Sequence, residues 1–152
     1  ALREKLPADV QATLSKHEAA EATDHPDYVA ATKVFNERHV CRVVPMPPAV
    51  QRTFDAMEQD PTVYHAMNGP NEFHVIGTMK TWSVIDRLAN IAAPTLAFRG
   101  FYDEATEDCV QPFLDHIPDV TGHVFPNSSH MPHVEESEDC MNLVEAFVAQ
   151  FD

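Results

Sequence analysis

Hydrophobic positions recur at a helical period through the first part of the chain, residues 1–81. Segments that begin after Pro7 and at Pro26 carry apolar residues on one face, and proline suits the first turn of a helix. Two shorter helices are predicted near residues 48–58 and 61–67, because prolines or glycines interrupt the pattern beside them. This stretch is therefore predicted to consist of short helices and loops.

The remainder of the chain, residues 82–152, has a different pattern. Two apolar runs, PTLAFRG and TGHVFP, have the length and composition of strands. Helices are predicted around them, over WSVIDRLANI with Ser83 as its N-cap, over EDCVQPFLDHI, and over ESEDCMNLVEAFVAQF. The order strand, helix, strand, helix favours a parallel α/β fold.

Two strands are too few for a self-contained parallel sheet. Parallel strands are normally buried on both faces within a larger sheet, so two of them alone form a poor core. We therefore expect the chain to be part of an α/β protein whose sheet is completed by another segment, another chain or a second copy.

Composition and charge disfavour several classes of partner. The formal charge is −14, from 24 acidic and 10 basic residues, which disfavours binding to nucleic acid and to anionic membrane surfaces. No stretch approaches the roughly 20 apolar residues of a membrane span. The cysteines Cys41, Cys109 and Cys140 form no CxxC pair, so neither a zinc ribbon nor a disulfide framework is expected. Reduced thiols make a cytoplasmic location the default prediction.

Polar residues follow each predicted strand, GFYDE after the first and NSSHMPH after the second. Loops at the carboxyl ends of neighbouring parallel strands lie side by side, so Asp103 and His130 can meet. A carboxylate bonded to one imidazole nitrogen fixes the tautomer and leaves the other nitrogen to act as a base. The same spacing also fits a surface aspartate and an unrelated loop histidine.

The amino-acid sequences of these two loops resemble those of a known protein family. PTLAFRGFYDEAT and NSSHMPHVEE resemble the acid and histidine segments of α/β-hydrolases. MNGPNEF, RHVCR and GTMKTWSVIDRLANI narrow the resemblance to the proline iminopeptidases, serine peptidases that remove an N-terminal residue. The resemblance implies a partial α/β-hydrolase fold, with residues 1–81 as the helical cap. Residues 82–152 are then the last two parallel strands of the core and their helices.

The resemblance also implies roles for four residues. Asp103 matches the acid of the catalytic triad and His130 its base, while Glu104 and Glu72 match two glutamates that hold the substrate's α-amino group. Two carboxylates in a closed pocket attract an ammonium through charge-assisted hydrogen bonds. The expected substrate is a peptide or amino-acid amide with a free N-terminus, and no cofactor is expected.

The sequence departs from the family pattern at the nucleophile. The family carries its serine in a G-x-S-x-G turn, and none of the five serines here lies in such a turn: Ser15, Ser83, Ser128, Ser129 and Ser137. We therefore expect the chain to supply the acid, the base and the glutamates, and to act with a nucleophile-bearing amino-terminal portion. The isolated chain is expected to be inactive.

Two other interpretations remain open at this point. The chain could be a non-catalytic protein, derived from a hydrolase fragment, that self-associates through an exposed sheet edge and serves as a binding or interaction module. It could also bind a metal through His130 and His133, although Pro132 lies between them and disfavours a shared ion, so no metal is expected. A further histidine, His39, is predicted to be a packed or hydrogen-bonded residue of the cap.

Overall fold

The structure, a computed structural model, describes residues 2–151 and divides them into two compact units. The first unit contains the described residues up to Phe35 together with Val44–Ser83. The second contains Asn36–Val43 and the described residues from Val84 onward. The later boundary between the units thus lies two residues beyond the expected division at 81/82, and residues 36–43 group with the second unit. The identity of the helical unit as a cap stays a proposal.

The first unit is helical, as its apolar period predicts. Its helices are α1 (Ala8–Ala19), α2 (Pro26–His39, whose last turn belongs to the second unit), α3 (Pro48–Gln59) and α4 (Thr62–Met67). Short 3₁₀ helices cover Leu2–Lys5 and Thr78–Thr81. Proline lies at or next to the start of all four α-helices, where its missing N–H costs no helical hydrogen bond. The unit's buried apolar side chains include Leu6, Leu14, Tyr28, Ala31, Phe35 and Val50.

The second unit is built on two parallel strands. β1 (Thr95–Gly100) pairs with β2 (Val120–Phe125) in a register that runs from Thr95 opposite Val120 to Gly100 opposite Phe125. Three helices accompany them: α5 (Glu107–His116), α6 (Pro132–Glu135) and α7 (Ser137–Val148). Both predicted strands and the helices after them are confirmed.

The prediction of an α-helix over WSVIDRLANI is wrong. Residues 82–84 are not helical, and Ile85–Asn90 forms a 3₁₀ helix whose N-cap position is held by Val84 rather than Ser83. Three of the segment's first four residues are aromatic or β-branched, and such side chains lose rotamer freedom against a preceding helical turn. The residues at the predicted start of the α-helix therefore have a low helix propensity.

The two-stranded sheet leaves much apolar surface open. Both strands are edges within the described chain, and the side chains of β2 are mostly exposed, with Val124 at 43%. Helical and terminal side chains of the same unit are exposed as well, including Met141, Val148 and Phe151. Parallel strands are usually covered on both faces, so this sheet has the character of one side of a larger core. No helix in the described part of the chain has the length and apolarity needed to cross a bilayer.

All three cysteines are unpaired. Cys41 and Cys140 are buried, and burial raises the pKa of both thiols. Thiols that stay protonated in apolar surroundings are unreactive packing groups. Cys109 is exposed on α5.

Candidate active site

The loops that follow the two strands are in direct contact. Gly100 ends β1 so close to the second loop that a Cβ atom there would lie 2.1 Å from the carbonyl oxygen of Ser129. The Phe101 N–H donates to the carbonyl of Phe125 (2.8 Å), and the Tyr102 N–H donates to the carbonyl of Ser128 (3.0 Å). Only glycine permits this approach, so the sequence GFYDE begins with the residue that lets the loops meet.

The approach of the loops joins Asp103 to His130. His130 Nδ1 lies 2.8 Å from Asp103 Oδ1, which is the contact that the order of strands and loops predicts. The Asp103 carboxylate is buried and accepts two further hydrogen bonds, from the N–H of Ala105 (2.8 Å) and of Gly100 (3.3 Å). A carboxylate accepts only, so Nδ1 of His130 carries the hydrogen. In the neutral ring Nε2 is then the nitrogen that can take up a proton.

Glu135 fixes the backbone on both sides of His130. Its carboxylate accepts hydrogen bonds from the N–H groups of Ser129 (2.8 Å) and Met131 (3.2 Å), which flank the histidine. It also accepts from the Ser129 hydroxyl (2.9 Å) and from the N–H of Arg42 (2.7 Å). These charge-assisted hydrogen bonds tie the backbone on both sides of His130, and the segment of Arg42, to one carboxylate.

Glu136 anchors the residues just before that loop. It accepts hydrogen bonds from the N–H (3.0 Å) and side-chain amide (3.1 Å) of Asn127, and from the hydroxyl of Ser128. Burial opposes ionisation here, but the hydrogen bonds from Ser128 and Asn127 outweigh it and lower the pKa of Glu136. Glu136 is therefore a charged anchor at neutral pH.

Ser128 and Ser129 are structural groups. Both are fully buried, and their hydroxyls donate to Glu136 and Glu135 respectively. Each hydroxyl is therefore engaged in holding its loop residue to a glutamate. This anchoring by Glu135 and Glu136 was not predicted from the sequence, although two consecutive acids shortly after a polar loop are available acceptors for its N–H groups.

Glu104, beside Asp103 in the chain, is partly buried in the second unit. Its N–H donates to the carbonyl of His39 (3.2 Å). Glu72 belongs to the first unit, in the loop after α4, and its side chain is exposed. Glu72 and Glu104 thus belong to different units, and a joint role for them is a proposal.

The loop that carries Glu72 is anchored on both sides of that residue. Asn71 is buried and donates its side-chain amide to the Tyr28 hydroxyl (2.7 Å), while the Phe73 ring packs against Phe35 with centroids 4.3 Å apart. Burial raises the pKa of Tyr28 to about 12, so its hydroxyl stays protonated and donates to Glu18 (3.2 Å). These contacts hold the backbone of the loop and leave the Glu72 carboxylate at the surface of the unit.

A turn at Gly69 sets the path of the same loop. Gly69 has φ +102°, and a Cβ there would lie 2.6 Å from Ile76 Cγ1. The carbonyl of Asn68 accepts the N–H groups of Ile76 (2.9 Å) and Gly77 (3.1 Å), which closes the loop at its base. Glycine is required here by both conformation and space.

The described residues that come near enough to share a metal are His17, His25 and Asp27, whose ligand atoms lie within 4.8 Å of one another. The two imidazole rings are stacked, with centroids 4.3 Å apart and an angle of 26° between their planes. Nitrogen lone pairs lie in the ring plane, so two nearly parallel rings do not point at one ion. This trio does not include His130 or His133, the pair considered from the sequence.

Comparison with known proteins identifies relatives along almost the whole chain, although no family model matches it. A proline iminopeptidase of Saccharolobus solfataricus is 36% identical over 149 residues, which cover 98% of this chain and 48% of the relative. The chain thus spans about half the length of the curated relatives it matches.

Solved structures give the same result. The crystal structure of VinJ superposes with a TM-score of 0.97 at 51% identity, over 99% of this chain and 51% of VinJ. The proline iminopeptidase of Mycobacterium smegmatis superposes with a TM-score of 0.87 at 54% identity, over 98% of this chain and 50% of that protein. With two strands, a helical unit and the Asp103–His130 contact in place, the chain belongs to the proline iminopeptidase family of α/β-hydrolases and spans about half of a member's length.

Proposed function

We propose that the chain is the acid- and base-bearing portion of a serine aminopeptidase that releases N-terminal residues, preferably proline, from peptides. The hydrogen bond between Asp103 and His130 carries this proposal. It joins two loops at the carboxyl ends of parallel strands, the place where open α/β sheets build their sites. The relatives named proline iminopeptidase supply the class of substrate.

In this proposal His130 moves the protons. Its Nε2 takes the proton of a serine hydroxyl as the oxygen attacks the substrate's carbonyl carbon, and later returns the proton to the leaving amine. Asp103 holds the ring in the Nδ1–H tautomer and stabilises the imidazolium that forms. Water then repeats the sequence on the acyl-enzyme. The serine comes from a nucleophile-bearing amino-terminal portion, since no serine of this sequence lies in a G-x-S-x-G turn.

Glu72 and Glu104 are proposed to bind the substrate's free ammonium group. An exopeptidase must distinguish a chain terminus from an internal peptide bond, and the positive charge of the terminus is the feature that differs. Two carboxylates that approach each other repel, and an ammonium between them relieves that repulsion. The anchored loop of Glu72 and the hydrogen-bonded backbone of Glu104 are consistent with such preorganised ligands.

A second function is favoured by the open sheet. The exposed side chains of β2 and α7 suit association with a second copy, so a non-catalytic, self-associating interaction module is the alternative. Light scattering on the isolated chain tests this alternative. One copy has a mass of 17.0 kDa, so a larger mass indicates self-association. A cytoplasmic location stays a prediction from the cysteines.

A chimera tests the catalytic proposal. In it, this chain replaces the matching half of the M. smegmatis proline iminopeptidase, which is 54% identical to it. We expect the chimera to hydrolyse proline p-nitroanilide, and His130→Gln to abolish that turnover, while His133→Gln on the exposed face of α6 leaves it intact. A folded chimera whose turnover survives His130→Gln would contradict the proposal.

A further inference from the structure

His39, the last residue of α2, holds the backbone on both sides of Asp103. Its ring Nδ1 lies 2.8 Å from the carbonyl oxygen of Tyr102, and its own carbonyl accepts the N–H of Glu104 (3.2 Å). A carbonyl oxygen only accepts, so the His39 Nδ1 carries a hydrogen. The residues immediately before and after the acid are thus bound by one buried side chain and its backbone.

The same short segment reaches the histidine loop. The N–H of Arg42 donates to Glu135 (2.7 Å), the carboxylate that holds the N–H groups of Ser129 and Met131 around His130. The Arg42 guanidinium also lies over the Tyr102 ring, 3.8 Å from its centroid, in a cation–π contact. Residues 39–42 therefore brace both loops that form the candidate site.

We propose that His39 is a positioning residue for the Asp103–His130 pair. By binding Tyr102 and Glu104, it keeps the Asp103 carboxylate where it selects the Nδ1–H tautomer of His130. The margin is small, because a displacement of about 1 Å takes a contact of this length out of hydrogen-bond range. The consequence for catalysis rests on the proposed function, whereas the effect on the His130 tautomer does not.

Two nearly isosteric substitutions separate the hydrogen bond from the packing. In His39→Asn the amide nitrogen occupies the position of Nδ1 and can still donate to Tyr102, whereas His39→Leu has similar volume and no donor. The tautomer of His130 is read by nitrogen NMR on the ¹⁵N-histidine-labelled chain, at a pH of about 8, where ordinary histidines are neutral. The His130 signals are assigned by their loss in His130→Gln.

We expect His39→Leu to lower the ratio of Nδ1–H to Nε2–H tautomers of His130 roughly three- to tenfold, the size of effect that corresponds to one hydrogen bond between neutral groups. His39→Asn should keep the ratio close to that of the parent chain. Should the leucine variant not fold, His39→Gln serves instead, since its amide lies one bond further out and cannot replace Nδ1.

A folded leucine or glutamine variant with an unchanged tautomer ratio overturns the proposal, as does an asparagine variant that behaves like leucine. In the chimera, His39→Leu and His39→Gln should reduce kcat more than they change KM. His39→Asn should keep turnover close to that of the parent chimera. If the tautomer ratio responds as expected while the parent chimera hydrolyses nothing, the proposed function fails and the positioning role stands.

Discussion

Asp103 and His130 lie 27 residues apart in sequence and share a 2.8 Å hydrogen bond between Oδ1 and Nδ1. The bond forms because β1 and β2 are parallel neighbours in register, so their last residues, Gly100 and Phe125, are paired and the loops beyond them leave from the same edge. The geometry of this carboxylate–imidazole pair is therefore a product of the sheet.

Asp103→Asn tests the role of the acid in the chimera. An asparagine can donate to His130 and so favours the wrong tautomer, which in comparable triads lowers kcat by roughly four orders of magnitude. We expect a loss of about that size for proline p-nitroanilide, with circular dichroism unchanged. Asp115→Asn, on the exposed side of α5, is the matched control and should retain activity. Similar losses in both variants would indicate a fold defect.

Glu135→Gln tests the anchor of the histidine loop. The amide group turns one acceptor into a donor, so it cannot satisfy all four hydrogen bonds that reach the carboxylate. We expect a loss of about 2 kcal/mol or more in the free energy of unfolding, the range for hydrogen bonds to charged groups. Chemical denaturation of the isolated chain measures it. Glu138→Gln, exposed in the first turn of α7, should change stability little.

Much of this arrangement could be predicted from local pattern. The runs PTLAFRG and TGHVFP have strand length and are followed by polar loops. This pattern alone predicts that Asp103 lies near His130. The anchored loop around Glu72 also carries its own signals, a glycine and a proline in MNGPNEF.

The rest depends on contacts between distant segments. Residues 36–39 continue helix α2 without a break in pattern, yet His39 and, three residues later, Arg42 contact the loops after β1 and β2, 60 and more positions away. His39 is hydrogen-bonded, as predicted, but it groups with the second unit rather than with the helical one. No local period encodes such a contact, since it depends on which backbone groups the sheet brings to that edge.

Gly100→Ala tests the close approach of the two loops. A Cβ at this position meets the carbonyl oxygens of Ser128 and Ser129 at 2.3 and 2.1 Å, and backbone cannot yield as a side chain can. We expect a destabilisation of about 3 kcal/mol, at the upper end for overpacking, together with loss of the Asp103–His130 contact in NMR spectra. Gly122→Ala in β2 meets only the flexible side chain of Leu114, at 3.0 Å, and should cost far less. Equal effects would mean that the loops are more pliable than the structure shows.

The amine selectivity of the chimera tests most directly whether Glu72 and Glu104 bind the substrate's ammonium group. Its kcat/KM is measured on proline p-nitroanilide and on an ester that lacks the α-amine, for the parent and for Glu72→Gln and Glu104→Gln. Each substitution removes a charge with little change in volume, and a charge-assisted hydrogen bond corresponds to roughly ten- to a hundredfold in kcat/KM. We expect a loss of that size on the amine substrate and almost none on the ester. Equal losses on both substrates would contradict this binding role, because the glutamates would then support the fold or the triad rather than bind the substrate's terminus.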